Sequence, residues 1–348
     1  MITKYLSKKI SFFSVVCTLM VLFMHSMDNQ SPKSSCTEYL YFVIVELISN
    51  AAVPLFFIIS GILYFKDDKT SISLIYAKVK KRIYSLGTPF ICATLFYILF
   101  FTIVEMTPYS KGYLNGSVFM ELKGNVWDIV NRCFWYYPEF PIAGQLWYLR
   151  DLLVIIIVSP IICLFFQNKV ANIILLSILF VFASTSNAIS LATSFYWFVL
   201  GGTAIKLFPR MLAPHNYAQK AMGALIVYWL ISILFRIAHV DTPIYLYTLS
   251  MTIKVTLFWL SYDIIKTGKF VEAIISLVPY SFFVFLFHQP DINIIRKLPM
   301  ILLGKSDLSY SISFLLTPFV CGYILVVIAK IMKRNIPIFY KFILGGRA

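Results

Sequence analysis

Residues Ile10–Asp28, ISFFSVVCTLMVLFMHSMD, form an apolar run long enough to cross a membrane as one helix. Its one histidine, His25, lies near one end of the run. A titratable side chain at membrane depth costs several kcal/mol, about 2.5 or more, and therefore indicates a functional site. The alternative is a hydrogen-bonded histidine that sits idle at the membrane–water boundary. Position alone gives the two interpretations equal weight.

The composition of the whole chain fits this first helix. Of the 348 residues 60% are apolar and only 13% are charged, which is too apolar for a soluble protein of this length. We therefore predict an all-α, polytopic membrane protein surrounded by membrane lipids. The net charge of +15 is explained by lysines and arginines that cluster in alternate loops, so we expect no nucleic-acid partner.

Ten segments satisfy the length of about 20 mostly apolar residues that a membrane helix needs. We find no soluble appended segment or internal repeat, and we predict one membrane domain over residues 1–348. An even number of spans puts both termini on the same side. The ten predicted spans are 10–28, 40–65, 86–106, 146–166, 171–186, 190–207, 221–240, 243–265, 274–295 and 309–332.

The distribution of basic residues predicts the orientation. Twenty of the 30 lysines and arginines fall in the N-terminal segment, the C-terminal segment and the loops on their side. Because cytoplasmic loops carry the excess of basic residues, we predict that both termini are cytoplasmic. Three more lie inside or at the ends of helices, namely Arg150, Arg236 and Lys254. The seven on the opposite side are Lys33, Lys111, Lys123, Arg132, Arg296, Lys297 and Lys305.

The six cysteines show no spacing typical of a zinc site, so we expect no metal. Cys36 and Cys133 fall in two loops on the same predicted outer side. The sequence alone cannot pair them, and a disulfide between them stays open.

Titratable side chains accumulate in the predicted outer half of the membrane on five helices. One such residue is often tolerated, but five helices that carry them indicate a shared aqueous cavity. Glu46 is notable because it lies about two turns from the outer end of the second helix. The residues concerned are His25, Asp28, Glu46, Arg150, Asp151, Arg236, His239, Asp241, His288 and Asp291.

Two further motifs each allow two interpretations. Ser60-Gly61 permits the close approach of a ligand or, more simply, of another helix. For the basic run from Lys78 to Arg82, positive-inside anchoring or a patch for anionic lipid headgroups is favoured over a ligand site by about three to one. Its alternative role is to clamp a phosphorylated cytoplasmic ligand such as a nucleotide-bearing acyl donor.

These features fit two classes of protein. A transporter of a glycan or lipid intermediate would use the titratable cluster as a proton relay. An enzyme would use a histidine as general base to activate a hydroxyl, with a carboxylate that orients the imidazole. The residues themselves leave both classes open.

The ordered set of motifs resembles acyltransferase family 3, membrane O-acyltransferases that act largely on cell-surface glycans. Together the motifs span residues 10 to about 290 in the order of the family. They are His25 at the end of the first helix, the stretch Val53–Gly61, the basic run that leads to Pro89, Gln145–Leu149 (QLWYL), and Phe287-His288.

The resemblance implies an acyltransferase with ten helices in a bacterial inner membrane. Acyl-CoA, usually acetyl-CoA, would arrive from the cytoplasm as co-substrate, with no bound cofactor. The acceptor would be a hydroxyl of exopolysaccharide, capsule, O-antigen or a lipid-linked precursor, whose O-acetylation modifies the cell envelope.

The resemblance also implies roles for individual residues. His25 would be the general base or a transient acyl carrier, Lys78, Lys81 and Arg82 would face the phosphates of the acyl donor, and Trp147 and Tyr148 would shape the cavity. The other roles are our own expectations from the residues. We expect Glu46 or Asp151 to orient the imidazole with help from His288, Ser60 and Gly61 to contact the acyl donor, and Arg150, Arg236 and His239 to line the substrate cavity. Two departures stand out: Ser14 replaces an arginine of the family, and Arg82 is alone where the family has an arginine pair.

Overall fold

The computed structural model describes residues 3–27, 36–66, 72–106, 124–135, 140–186, 190–240 and 243–347. Asp28 and Asp241 of the predicted titratable cluster lie outside these ranges. The described residues are almost entirely helical and contain no strand. The α-helices are α1 (Lys4–Ser26), α2 (Cys36–Tyr41), α3 (Ala52–Phe65), α4 (Ile72–Glu105), α5 (Val126–Val130), α6 (Trp147–Phe165), α7 (Lys169–Thr185), α8 (Leu191–Leu207), α9 (Ala218–Ile237), α10 (Ile244–Ser261), α11 (Lys269–Ile275), α12 (Val278–Ile295), α13 (Leu298–Leu303), α14 (Asp307–Asn335) and α15 (Pro337–Ile343).

The structure confirms an all-α protein with several membrane-spanning helices. Among the described residues six helical stretches are long and apolar enough to cross a membrane, and a seventh is formed if α11 and the helices from Val278 to Leu303, bent by 54°, count as one span. The six are Lys4–Ser26, Cys36–Phe65, Leu74–Glu105, Gly144–Phe165, Ala218–Ile237 and Asp307–Asn335.

Part of the difference from the ten predicted spans has a geometric cause. The predicted spans 171–186, 190–207 and 243–265 are helical, as α7, α8 and α10, but α7 and α8 have only 17 residues each. At about 1.5 Å per residue such a helix rises about 26 Å, which is less than the hydrocarbon thickness of about 30 Å. The orientation of the termini stays a prediction.

The second predicted span is interrupted. After α2 the chain forms a π-helical turn over Phe42–Glu46 and a 3₁₀ turn over Ser49–Ala51 before α3 begins. Ser49 contributes to the break because its hydroxyl donates to the Ile44 carbonyl at 2.8 Å. Such breaks in a membrane helix are tolerated only where other groups satisfy the freed backbone.

The chain forms two compact units. The first unit comprises Met1–Met24, Tyr39–Leu74 and Val158–Val278, and the second comprises His25–Glu38, Ile75–Ile157 and Pro279–Ala348.

The first unit is built around the contact between α3 and α8. A Cβ atom on Gly61 would lie 2.0 Å from the Phe198 carbonyl oxygen, and one on Gly201 would lie 2.0 Å from the Ile58 carbonyl oxygen. Both glycines therefore allow the two backbones to touch, which is how small residues promote association of helices in membranes. Gly61, which we expected near the acyl donor, faces a neighbouring helix.

Replacing Gly201 should destabilise the first unit. In Gly201→Ala the new methyl group forces α3 and α8 apart, so we expect a loss of about 3 kcal/mol in the free energy of unfolding. The measurement is thermal unfolding of the detergent-purified protein. Gly223→Ala is the control, because a Cβ there meets no atom within 4 Å; equal melting temperatures for the two variants would contradict the close contact.

Candidate functional site

The site begins at the end of α1, where His25 is half-buried. Its Nδ1 lies 2.9 Å from the side-chain Nε2 of Gln289 on α12. Asn293, one turn further along α12, donates to Gln289 Oε1 at 3.2 Å, which turns the amide nitrogen of Gln289 toward His25. Since an amide nitrogen only donates, His25 Nδ1 accepts, and the proton of the neutral imidazole is on Nε2.

Arg296 fixes the end of α1. Its Nη1 donates to the carbonyl oxygens of His25 and Met27 at 3.3 and 3.0 Å. The last carbonyls of a helix have no partner within the helix, and a basic side chain there is favourable. The carbonyl of Arg296 in turn accepts from the Ser313 hydroxyl at 2.5 Å. The backbone that carries His25 is therefore tied to α12 and α14.

The second histidine, His288, lies in the middle of α12 and is fully buried. Its Nδ1 is 2.8 Å from the Phe285 carbonyl oxygen. A carbonyl only accepts, so Nδ1 carries the proton and Nε2 carries the lone pair. Within the described part of the chain this Nε2 has no hydrogen-bond partner. His288 is thus a buried imidazole whose acceptor nitrogen makes no hydrogen bond within the described residues.

The two imidazole rings come together. Their centroids are 5.2 Å apart, with an angle of 39° between the ring planes. His25 contributes an N–H at Nε2 and His288 contributes a lone pair at Nε2. An N–H donor and a lone pair therefore lie on two neighbouring imidazole rings.

A proline and a glutamine position the helix that carries His288. Pro290 has no N–H, so the Leu286 carbonyl four residues earlier loses its helical partner. Gln145 Nε2 lies 3.5 Å from that carbonyl oxygen and satisfies it. Three residues after Gln145, Tyr148 packs edge-on against Phe285 with ring centroids 5.7 Å apart. The QLWYL motif thus supports α12, and Trp147 packs against Phe140.

Arg150 and Asp151 form a buried ion pair. Arg150 Nη2 and Nε each lie 3.0 Å from Asp151 Oδ1, and both side chains are almost fully buried. Arg150 Nη1 also donates to the Trp135 carbonyl at 3.0 Å. The positive charge of Arg150 therefore compensates the Asp151 carboxylate. We expected a carboxylate, Glu46 or Asp151, to orient the His25 imidazole, but the partner of His25 Nδ1 is Gln289.

The other predicted carboxylate and two predicted cavity residues belong to the first unit. Glu46 is exposed at the interruption between α2 and α3. Arg236 is exposed, with its guanidinium carbon 5.4 Å from the Phe42 ring centroid. His239 is also exposed, just after α9, with a φ of 51°.

Lys254 is the buried charge of the first unit, with 3% of its surface exposed. Its Nζ donates to the Glu46 carbonyl at 3.0 Å and to the side chain of Asn50. Trp229 Nε1 donates to the next carbonyl, that of Leu47, at 3.0 Å. The interruption between α2 and α3 is therefore satisfied by side chains from α9 and α10, as the membrane interior requires.

The basic run lies on the first turns of α4, in the second unit. Lys78 and Arg82 are half-buried and Lys81 is exposed. Ser60 and Gly61 belong to α3 in the first unit. Ser14, where the resemblance expects an arginine, donates its hydroxyl to the Ile10 carbonyl of its own helix at 2.8 Å.

The structure therefore brings His25 and His288 together, with Trp147, Tyr148, Arg150 and Asp151 in the same unit. Sequence reasoning assigned no site role to Gln289, Asn293, Arg296 or Lys254. The first three could have been found, because they follow one another at intervals of four and three residues on α12 and the turn after it, a spacing that aligns side chains on one helix face.

Two remaining expectations concern cysteines and metals. Cys36 and Cys133 are both free thiols, so the disulfide left open by the sequence is not formed. In the described ranges no three His, Cys, Asp or Glu side chains come close enough to hold a metal ion.

Breaking the buried ion pair should be costly. In Arg150→Met the Asp151 carboxylate is left without its compensating charge, and we expect a loss of about 3–5 kcal/mol in the free energy of unfolding. The measurement is thermal unfolding in detergent. The double variant Arg150→Met/Asp151→Leu removes both charges and should recover most of the loss; a double variant as unstable as the single one would contradict this reading.

Comparison with known proteins agrees with the resemblance. No curated protein and no solved structure matches the chain. The family described as an acyltransferase domain, acyltransferase family 3, matches residues 11–332, nearly the whole chain. This match includes both histidines and the helices that hold them. The chain belongs to acyltransferase family 3 and is a membrane acyltransferase.

Proposed function

We propose that this protein transfers an acyl group, most simply acetyl, from cytoplasmic acyl-CoA to a hydroxyl of a cell-surface glycan or its lipid-linked precursor. The bacterial inner membrane is the proposed location. The observation that carries the proposal is the His25–His288 pair, in which one neutral imidazole offers an N–H and the other a lone pair. Acyl transfer to a hydroxyl needs both functions at once.

His288 acts as the general base in this mechanism. Its Nε2 takes the proton of the acceptor hydroxyl while the hydroxyl oxygen attacks the thioester carbonyl carbon. The carbonyl oxygen becomes negative in the tetrahedral intermediate and receives a hydrogen bond from His25 Nε2. When the C–S bond breaks, the ester is formed, and the proton on His288 passes to the departing thiolate to give free CoA.

The contact at Gln289 supports this division of roles. As general base or acyl carrier, His25 would need its lone pair on Nε2 and its proton on Nδ1. That proton would then face the amide nitrogen of Gln289, which is itself a donor, at 2.9 Å. An oxyanion donor, by contrast, needs the tautomer that Gln289 and Asn293 already favour.

The basic run on α4 supports acyl-CoA as donor. Lys78, Lys81 and Arg82 supply positive charge within one turn and a half of one helix. Phosphate groups bind well to such charge, and arginine adds bidentate geometry.

The decisive experiment uses inverted membrane vesicles with labelled acetyl-CoA on the cytoplasmic face. Wild type should transfer label to a glycan or lipid-linked fraction. His25→Ala should lose at least about a hundredfold of the rate, because one oxyanion donor is removed. His215→Ala is the matched control, a half-buried histidine in the first unit. Near-normal transfer by His25→Ala, or glycan movement across vesicles without any acyl-CoA, would contradict the proposal.

Gln289 variants test the tautomer of His25. Gln289→Leu removes one hydrogen bond worth about 1.4 kcal/mol, so kcat should fall about tenfold. Gln289→Glu places an acceptor at Nδ1 and moves the proton away from Nε2, so kcat should fall by a further factor of about ten. If Gln289→Glu is instead as active as wild type or more so, His25 is the base and our division of roles is wrong.

A further inference from the structure

α15 packs firmly against α12 within the second unit. Tyr340 on α15 is fully buried, its hydroxyl donates to the Pro279 carbonyl at 3.3 Å, and its ring lies 5.8 Å from that of Phe283. The opposite side of α15 exposes Ile338 and Phe339, as expected of a short helix at a membrane surface. Because α15 is held by these contacts, the position of the residues that follow it is also fixed.

Two glycines turn the chain after α15. Gly345 and Gly346 have φ angles of 64° and 84°. The Gly346 N–H bonds the Lys341 carbonyl and the Gly345 N–H bonds the Phe342 carbonyl, both at 2.9 Å. This pair of bonds is the Schellman ending of a helix, which requires a left-handed residue and favours glycine.

The turn lies directly on α4. A Cβ on Gly345 would be 2.6 Å from the Ser85 carbonyl oxygen, so only glycine allows this approach. That carbonyl lacks its helical partner because Pro89, four residues later, has no N–H. Arg82 is one turn away, and its carbonyl accepts from the Ser85 hydroxyl at 3.3 Å. The turn thus docks beside the arginine of the basic run.

Arg347 directly follows this turn. Its guanidinium carbon lies 4.2 Å from the ring centroid of Phe282, a cation–π contact. Burial and the like charge of Arg82 lower the pKa of Arg347 to about 10, so it remains protonated at neutral pH. The positive charges of Arg82 and Arg347 repel each other, and an anion bound to both would reduce that repulsion.

Aromatic rings on α12 connect Arg347 with His288 through successive contacts. Phe282, Phe285 and His288 follow at intervals of three residues on α12, with ring centroids 6.5 and 6.3 Å apart. The rise over these six residues is about 9 Å. A donor with phosphates at one end and a thioester at the other can therefore lie along one row of aromatic rings.

We propose that Arg347 and Arg82 together bind a phosphate group of the acyl donor, with Phe282 and Phe285 lining the path of its arm toward His25 and His288. This inference rests on the proposed function, since it takes acyl-CoA as the donor. Arg347 supplies the second guanidinium that the basic run, with Arg82 as its one arginine, does not contain. Two forked donors hold a phosphate more tightly than one.

The test measures CoA binding and acetyl transfer with the full chain in detergent. Arg347→Gln should raise the Kd for CoA and the KM for acetyl-CoA about ten- to a hundredfold, with kcat at saturating donor nearly unchanged. Arg347→Lys should recover part of the affinity. Gly345→Val keeps Arg347 but forces the turn off Ser85, and should weaken binding to a similar extent.

Lys341→Gln is the matched control, because it removes one exposed positive charge from α15. If Arg347→Gln binds CoA like Lys341→Gln, the inference is wrong while the proposed function stands. If wild type neither binds CoA nor transfers acetyl, the proposed function fails and the inference with it. If Arg347→Gln loses co-purified anionic phospholipid but keeps the wild-type Kd for CoA, the phosphate belongs to a lipid and the inference is overturned.

Discussion

Backbone carbonyls that have lost their helical partner hold the second unit together. A membrane interior offers no water to such groups, so each proline inside a helix creates an acceptor that another part of the chain must satisfy. Pro318 frees the Phe314 carbonyl, which accepts from the Ser26 hydroxyl at 3.3 Å. Pro290 frees the Leu286 carbonyl, which accepts from Gln145. These two bonds fix the residue next to His25 and the helix that carries His288.

The two imidazole rings of the site are held by neutral groups. His25 is held by an amide and His288 by a backbone carbonyl, while the charged Arg296 binds the backbone at His25 and the charges of Arg150 and Asp151 compensate each other. This arrangement follows from the cost of an unpaired charge in a medium of low dielectric constant. Two uncharged imidazoles with opposite free functions avoid that cost and still provide both a base and a donor. The chemistry that we propose needs nothing more from the protein at the reacting atoms.

In the first unit, a charged side chain helps to satisfy the backbone carbonyls that have lost their helical partner. Lys254 and Trp229 satisfy consecutive carbonyls where the chain between α2 and α3 leaves the α-helical form. A lysine ammonium has three donors, so one side chain can bond both a carbonyl and the Asn50 amide oxygen. Glycines at 61 and 201 then let α3 and α8 pack backbone to backbone. In both units, polar side chains inside the membrane donate hydrogen bonds to backbone carbonyls that have no helical partner.

The sequence by itself determined the helical class and the positions of the apolar segments, and it singled out His25 and His288 as candidates, because hydropathy and a titratable group in an apolar run are local properties. It also located every proline that breaks a helical bond. Only the tertiary structure decided that Gln289 meets His25, that Gln145 satisfies Leu286 and that Arg347 reaches Phe282. These pairs lie between 65 and 264 residues apart, and the choice of partner depends on how helices pack, which no local pattern contains.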